Sequence, residues 1–325
     1  MRLLLWLITG LAALYGGYWV VGSRAMLSGV ETALEGWKAE GLADYDTVSL
    51  DGFPSRFDLT VTEPSWQSPD GAFHWSAPRL GIYALSYRPH HVIAVLPPSQ
   101  SLQIGTERLS VETTDLRGSA VFGLAPSLPI ERAQAVGTGF ALNSQKGWGL
   151  RAEQIRLAIR KGANATDQDL GVELIAPELS GTLLAYLGDA LPAAGQRIRL
   201  DAMLSLDVPL DRFTPKSGAQ IRAADIRAFD LDWGPLGLSG SGAITVSATR
   251  QPEGQIELRI RDWRRALDVA VGLGLIRPDI APKISRALTF LALTSGTPED
   301  LALPLSFHNG LMSLGPVPLG PAPRL

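Results

Sequence analysis

Few side chains in this chain are equipped for acid–base or nucleophilic chemistry. Its 325 residues include four histidines and no cysteine. Thiol nucleophiles, disulfides, zinc ribbons and iron–sulfur clusters are therefore excluded. His90 and His91 are adjacent, so on a strand they project to opposite faces. Neither they nor His74 and His308 fall in an H-E-x-x-H or H-x-x-x-H spacing, and no metal ligand set is expected. No serine sits in a G-x-S-x-G elbow. The G-x-G pairs Gly137/Gly139, Gly147/Gly149 and Gly272/Gly274 lack the third glycine of a dinucleotide fingerprint, and there is no P-loop. One carboxylate pair stands out. Asp230 and Asp232 share a strand face, about 7 Å apart by the strand rise, a separation that suits glycoside hydrolysis. The same face carries Arg199, Asp201, Glu257, Arg259 and Arg261, which reads more simply as a charge ladder on a solvated sheet. The expectation is a protein with no catalytic residues and no cofactor; a carboxylate-based hydrolase is the enzymatic alternative.

Those aspartates belong to a chain built mostly of strands. From Tyr45 to Ile260 the apolar residues recur with period two. Ile198, Leu200, Ala202, Leu204, Leu206 and Val208 fall on one face, and Arg199, Asp201, Met203, Ser205 and Asp207 on the other. Phe229 and Leu231 alternate with Asp230 and Asp232, and Ile256 and Leu258 with Glu257 and Arg259. Short turn signals such as Pro69-Asp70-Gly71, Pro97-Pro98-Ser99 and Gln251-Pro252-Glu253-Gly254 separate the runs. Links this short favour antiparallel neighbours. The fold class expected is mainly β (α+β), a large curved antiparallel sheet or rolled meander. Two late helices are predicted, near 263–276 behind the cap Asp262 and near 282–294 from Pro282 to Thr294, with Gly296 past its end. The tail from Gly315 to Leu325 is too rich in proline for a helix and reads as an edge strand or a polyproline-like strap. No linker divides residues 42–325, so one elongated β-rich domain is expected.

The other end of the chain has a different character. Leu3 to Val21 is an uninterrupted uncharged run. As a helix it is about 28 Å long, close to the thickness of a bilayer's hydrocarbon core. Tyr15, Tyr18 and Trp19 cluster at its far end, as aromatic residues do at a membrane interface. The run is longer than the apolar region of a usual signal peptide and lacks a clear A-x-A site, so residues 1–22 read as an uncleaved anchor. A short cytoplasmic tail then implies single-pass insertion in an inner membrane with the bulk of the chain periplasmic. Residues 23–41 follow as a stalk helix, with Met26, Val30, Leu34 and Trp37 on one stripe and Gly41 as its stop.

Charge and area narrow the partners. With 29 basic and 32 acidic residues the net charge is −3, and no basic stripe is present, which argues against nucleic acid. If about 100 residues form strands, their inward side chains cover about 1,600 Å² of sheet face. Three short helices cover less than half of that, at about 210 Å² each. Either the sheet curls on itself, or an apolar groove remains for membrane lipid or a similar ligand. Ile198, Leu200, Leu204, Leu206, Phe229, Leu231, Ile256 and Leu258 would line it. With a fully packed core the chain would instead be a structural or interaction module of the cell envelope with a protein partner.

The stretch Gly52-Phe53-Pro54-Ser55-Arg56-Phe57-Asp58 reads physically as a turn that starts a strand, with Arg56 and Asp58 on one face and Phe57 anchored in the core. With the later Asn309-Gly310 and Leu314-Gly315-Pro316-Val317-Pro318, it resembles domain-of-unknown-function family 2125, uncharacterised bacterial envelope proteins with a membrane anchor. The family has no assigned activity, so the resemblance carries no catalytic residues over to this chain. The glycine-rich strand pair from Gly237 to Ile260 also looks like the AsmA-like proteins. It implies a membrane-anchored β-groove linked to lipid traffic, in a much shorter chain.

Overall fold

A computed structural model describes residues 2–295 and 299–324. The fold is mainly β and antiparallel. Its helices are α1 (Arg2–Ala39), α2 (Thr182–Leu187), α3 (Thr214–Ser217), α4 (Trp263–Gly272) and α5 (Ala281–Ser295). The chain forms two compact units, Met1–Ala135 with Asp211–Gly218, and Val136–Leu210 with Ala219–Leu325.

In the first unit, the segments expected as anchor and stalk are one continuous helix, α1. Nothing at Gly22-Ser23-Arg24 removes a backbone donor, and the Ser23 hydroxyl bonds back to the Val20 carbonyl at 3.1 Å. Met26, Val30, Leu34 and Trp37 are half-buried, as their shared stripe predicts. The helix stops where expected: Gly41 takes a φ of 72°. The Leu42 amide then reaches back to the Trp37 carbonyl at 2.8 Å, which closes the last turn.

The strands of this unit are β1 (Ala43–Asp44), β2 (Thr47–Asp51), β3 (Arg56–Thr62), β4 (Ser65–Gln67), β5 (Phe73–Ser76), β6 (Arg79–Leu85), β7 (Arg88–Leu96), β8 (Ser99–Ile104), β9 (Glu107–Glu112) and β10 (Asp115–Phe122). Two ladders run side by side, β2–β3–β6–β7–β10 and β1–β4–β5–β8–β9. Consecutive pieces such as β3 and β4 are separated by two residues, so the unit is a meander of long strands interrupted along one line, a crease in the ladder. Proline makes the crease: Pro64, Pro78, Pro97 and Pro98 stand at the junctions and have no N–H for the ladder. Across it the Glu63 amide bonds the Pro78 carbonyl at 3.0 Å and the Ala77 amide the Pro64 carbonyl at 3.1 Å. Phe57, Leu59 and Val61 fill the core beneath β3, each under 5% exposed.

The strand β11 (Ile130–Ser144) carries the chain onward. In the second unit, β12 (Trp148–Lys161), β13 (Asp167–Ile175), β14 (Glu178–Gly181), β15 (Arg197–Leu206), β16 (Ile221–Trp233), β17 (Leu236–Val246), β18 (Pro252–Arg261), β19 (Asp300–His308), β20 (Leu311–Leu314) and β21 (Val317–Pro321) form a second meander. The strands pair in sequence order, β13 and β14 together flanking β12. Asn309 and Gly310 turn β19 into β20 with φ of 52° and 72°, the left-handed pair a two-residue hairpin needs. The proline-rich tail adds β21 as an extended strand on β20.

Helix α4 starts behind Asp262, as predicted, but stops at Gly272 rather than Ile276. The amides of Leu275 and Ile276 fold back onto the Ala270 carbonyl, and Gly274 turns left-handed at φ 71°. Helix α5 covers the predicted 282–294; Gly296 lies outside the described residues. Both helices lie on the apolar side of β18 and β19. Trp263, Leu267, Ile284, Leu288 and Ala292 pack there with Ile260, Leu301 and Leu314. The unpredicted α2 completes a smaller core of Leu187, Leu191, Trp233 and Leu236.

The cap that starts α4 is a testable contact. Asp262 accepts the Arg265 amide at 3.2 Å and the Arg265 guanidinium at 3.0 Å. Burial works against its charge, yet these contacts with Arg265 prevail and hold the carboxyl below its ordinary pKa. A lowered folded-state pKa means that the contribution is complete above the ordinary carboxylate range and fades as pH falls through the lower value. Asp262→Ala should cost about 1 kcal/mol at neutral pH. Denaturant unfolding followed by tryptophan fluorescence should show the gap from wild type shrinking in acid.

Candidate functional site

The carboxylate pair lies on the polar face of the second meander. Register places Asp232 beside Gly237 and Asp230 beside Ser239; the next strands bring Arg261 and Arg259, then Asp300 and Ala302. Because Gly237 and Ala302 are small, these residues enclose an open depression of about 400 Å³. Asp232 pairs with Arg261 at 3.5 Å, and Asp230 stands opposite Arg199. Further along the same face, Asp169 accepts Arg160 at 3.0 Å and also Arg227. Arg227 reaches Asp201 at 3.3 Å. Hydrogen bonds from Arg160 and then Arg227 keep the Asp169 carboxyl below its usual range. Arg227 owes its place to a bulge: the register slips one residue between Ile226 and Phe229 opposite Gly240 to Gly242. The face is a charge-compensated ladder, with arginines beside its carboxylates. Among the described residues, no group of three or more metal-ligating side chains converges.

The opposite face of the same strands is apolar in continuous rows. One row runs Ile155–Leu174–Ile198–Leu231–Leu238–Ile260–Leu301 and the next Leu157–Val172–Leu200–Phe229–Gly240–Leu258–Leu303. A third row holds Ile159, Leu170, Ala202, Ile226 and Ile256. Helices cover only part of this surface. Of the residues singled out from sequence, Leu258 packs against the α4–α5 core, and Ile198 and Leu231 against the α2 core. Leu200, Leu204, Leu206, Phe229 and Ile256 belong to neither and are half-buried. Sequence reasoning overlooked their neighbours Val172 and Leu157, the latter 42% exposed. The signal was available in the alternation of Ile155, Leu157 and Ile159.

The Gly52–Asp58 stretch does more than start a strand. Phe57 is buried and Arg56 pairs with Asp58 at 2.7 Å, as expected. In addition, the stretch grips α1. The Trp19 indole N–H donates to the Arg56 carbonyl at 2.7 Å. Its ring meets Phe53 edge-on, with centroids 5.2 Å apart, and lies 6.2 Å from that of Phe57. Gly22 lets this happen, since a Cβ there would stand 3.2 Å from the Phe57 ring. Beside it, Ser86 in the β6–β7 turn is fully buried. Its hydroxyl bonds that of Tyr15 at 2.9 Å, and its carbonyl accepts from Tyr18 at 2.7 Å. Gly52 adopts φ 103°, with the Arg56 carbonyl 2.9 Å from where a Cβ would sit. Pro54 follows Phe53 through a cis peptide bond.

The site is thus an apolar sheet face with an ionic reverse side, in a chain whose only described helix long and apolar enough to cross a membrane is α1. The chain belongs to an uncharacterized protein family conserved in bacteria, DUF2125, whose model matches residues 19–323. No curated protein and no solved structure matches it.

The grip on α1 depends on Phe57 filling its core position. Phe57→Ala should destabilise the first unit by about 3–5 kcal/mol. Denaturant unfolding of the detergent-solubilised chain would show it as a lower midpoint, and Trp19 emission would shift as its packing is lost.

Proposed function

We propose that this chain is a non-catalytic, single-pass inner-membrane protein with most of its mass in the periplasm, and that its uncovered apolar sheet face holds lipid or a similar apolar ligand. The observation that carries this reading is the row Leu157–Val172–Leu200–Phe229, which no helix of either hydrophobic core covers. Large apolar side chains in continuous register on a half-buried face outside both helix-covered cores favour an apolar occupant. Supporting the placement, α1 is long and apolar enough for one crossing, and the family is bacterial. The absence of catalysis is inferred from the polar face, where arginines pair with or stand opposite the carboxylates.

Strand alternation supplies an internal control. A photoreactive phenylalanine analogue placed at Leu200 or Phe229 in the membrane-bound chain should form lipid adducts on illumination. The same group at Arg199 or Asp230, one residue away and on the other face, should not. Equal labelling at all four positions, or protein adducts alone at Leu200, would overturn the ligand reading in favour of a protein-binding module. Asp230→Asn with Asp232→Asn should leave adduct formation unchanged, and a growth or envelope defect in that double variant would revive a hydrolase.

A further inference from the structure

Tyr15, Tyr18 and Trp19 lie inside the uncharged run of α1, which continues to Val21. From Tyr15 to Val21 the helix rises about 9 Å. The parts of the first unit that hold these residues must therefore sit at the same level along the helix. They are the β6–β7 turn, through Ser86, and the Gly52–Pro54 turn, through Phe53. If α1 crosses a bilayer, both turns reach the depth where its far interface begins. Their exposed residues suit that depth. Phe53 is 62% exposed and Tyr87, beside Ser86, is 61% exposed. Arg88 stands next to Tyr87 and Arg24 one helical turn beyond the apolar run, both exposed; Arg56 is exposed too but paired with Asp58, and the exposed Asp51 adjoins the Gly52–Pro54 turn. Aromatic rings flanked by arginines suit the boundary between acyl chains and anionic headgroups. At the other end of the same meander, the turns carry Asp70-Gly71 and Gly105-Thr106 instead.

We propose that the Gly52–Pro54 turn and the β6–β7 turn are a second membrane contact, with Phe53 and Tyr87 embedded in the lipid interface beside α1. The first unit then rests on the bilayer surface. The occupant is the bilayer itself, because the patch is continuous with the residues that grip the anchor. This inference rests on the reading of α1 as a membrane span.

The chain has no cysteine, so single-cysteine spin labels can be placed without background. The full chain would carry one label at Leu11, Phe53, Tyr87 or Asp70, in vesicles of phosphatidylethanolamine and phosphatidylglycerol. Collision with oxygen, which partitions into lipid, is compared with collision with a water-soluble nickel chelate. The expected result is a deep lipid signature at Leu11, an oxygen-to-nickel ratio at Phe53 and Tyr87 several-fold above that at Asp70, and an aqueous value at Asp70. Tyr87 is 61% exposed and takes no part in the hydrogen bonds and ring contacts that hold α1, so Tyr87→Cys reads out even if Phe53→Cys loosens the seam. A deep signature at Leu11 with Tyr87 as aqueous as Asp70 would overturn the second contact and leave the span intact. An aqueous signature at Leu11 would overturn the span, and the second contact with it.

Discussion

The seam between α1 and the start of β3 is where the uncharged first half of that helix becomes part of a globular fold. Trp19 lies against Phe53 and near Phe57 and gives its N–H to the Arg56 carbonyl. Tyr15 and Tyr18 both end on Ser86. Polar atoms next to an apolar segment are costly unless bonded, and a bond shielded from water is stronger than one in it. Each of these aromatic residues therefore offers its ring to the apolar surroundings and its polar tip to a strand or turn of the sheet. Because the helix stays unbroken to Ala39, the seam fixes its direction and brings the stripe from Met26 to Trp37 into contact.

The second unit solves a different problem. Its long strands have one ionic and one apolar face, and its helices pack on the apolar face at β17 to β19 and, around Trp233, at β14 to β16. Small residues shape both sides. Gly240 and Gly242 leave β18 room to approach. On the polar side, Gly237 and Ala302 leave the shallow depression between charged neighbours. The bulge in β16 turns Arg227 toward two aspartates without interrupting the apolar rows, so each face keeps its character across the sheet.

Much of this was legible in residue order. The alternation from Ile198 to Leu206 is β15, and Asp262 starts α4. Of the candidate site, the apolar face could be read because a period of two assigns faces directly. Its division into covered and uncovered halves could not be, because that depends on where α2, α4 and α5 settle. The six residues of α2 are too few for a period to show. The grip of Gly52–Asp58 on Trp19 was hidden for another reason: the partners are more than thirty positions apart, and neither segment shows by itself that it faces the other. Gly22-Ser23 looked like a boundary because composition changes there, but a change of polarity does not break backbone hydrogen bonding.

The proline crease of the first meander has one more effect. Pro64, Pro78 and Pro98 occupy one line across neighbouring strands, where two of their carbonyls are bonded by Glu63 and Ala77 and the third by Thr113. If a strand slid along its neighbour by a two-residue step, a proline would move into the ladder and leave a carbonyl there without a donor. Such a slip would keep every side chain on its correct face, so hydrophobic burial alone penalises it weakly. The missing N–H groups therefore act as index marks, discriminating against misaligned pairings that side-chain polarity would accept.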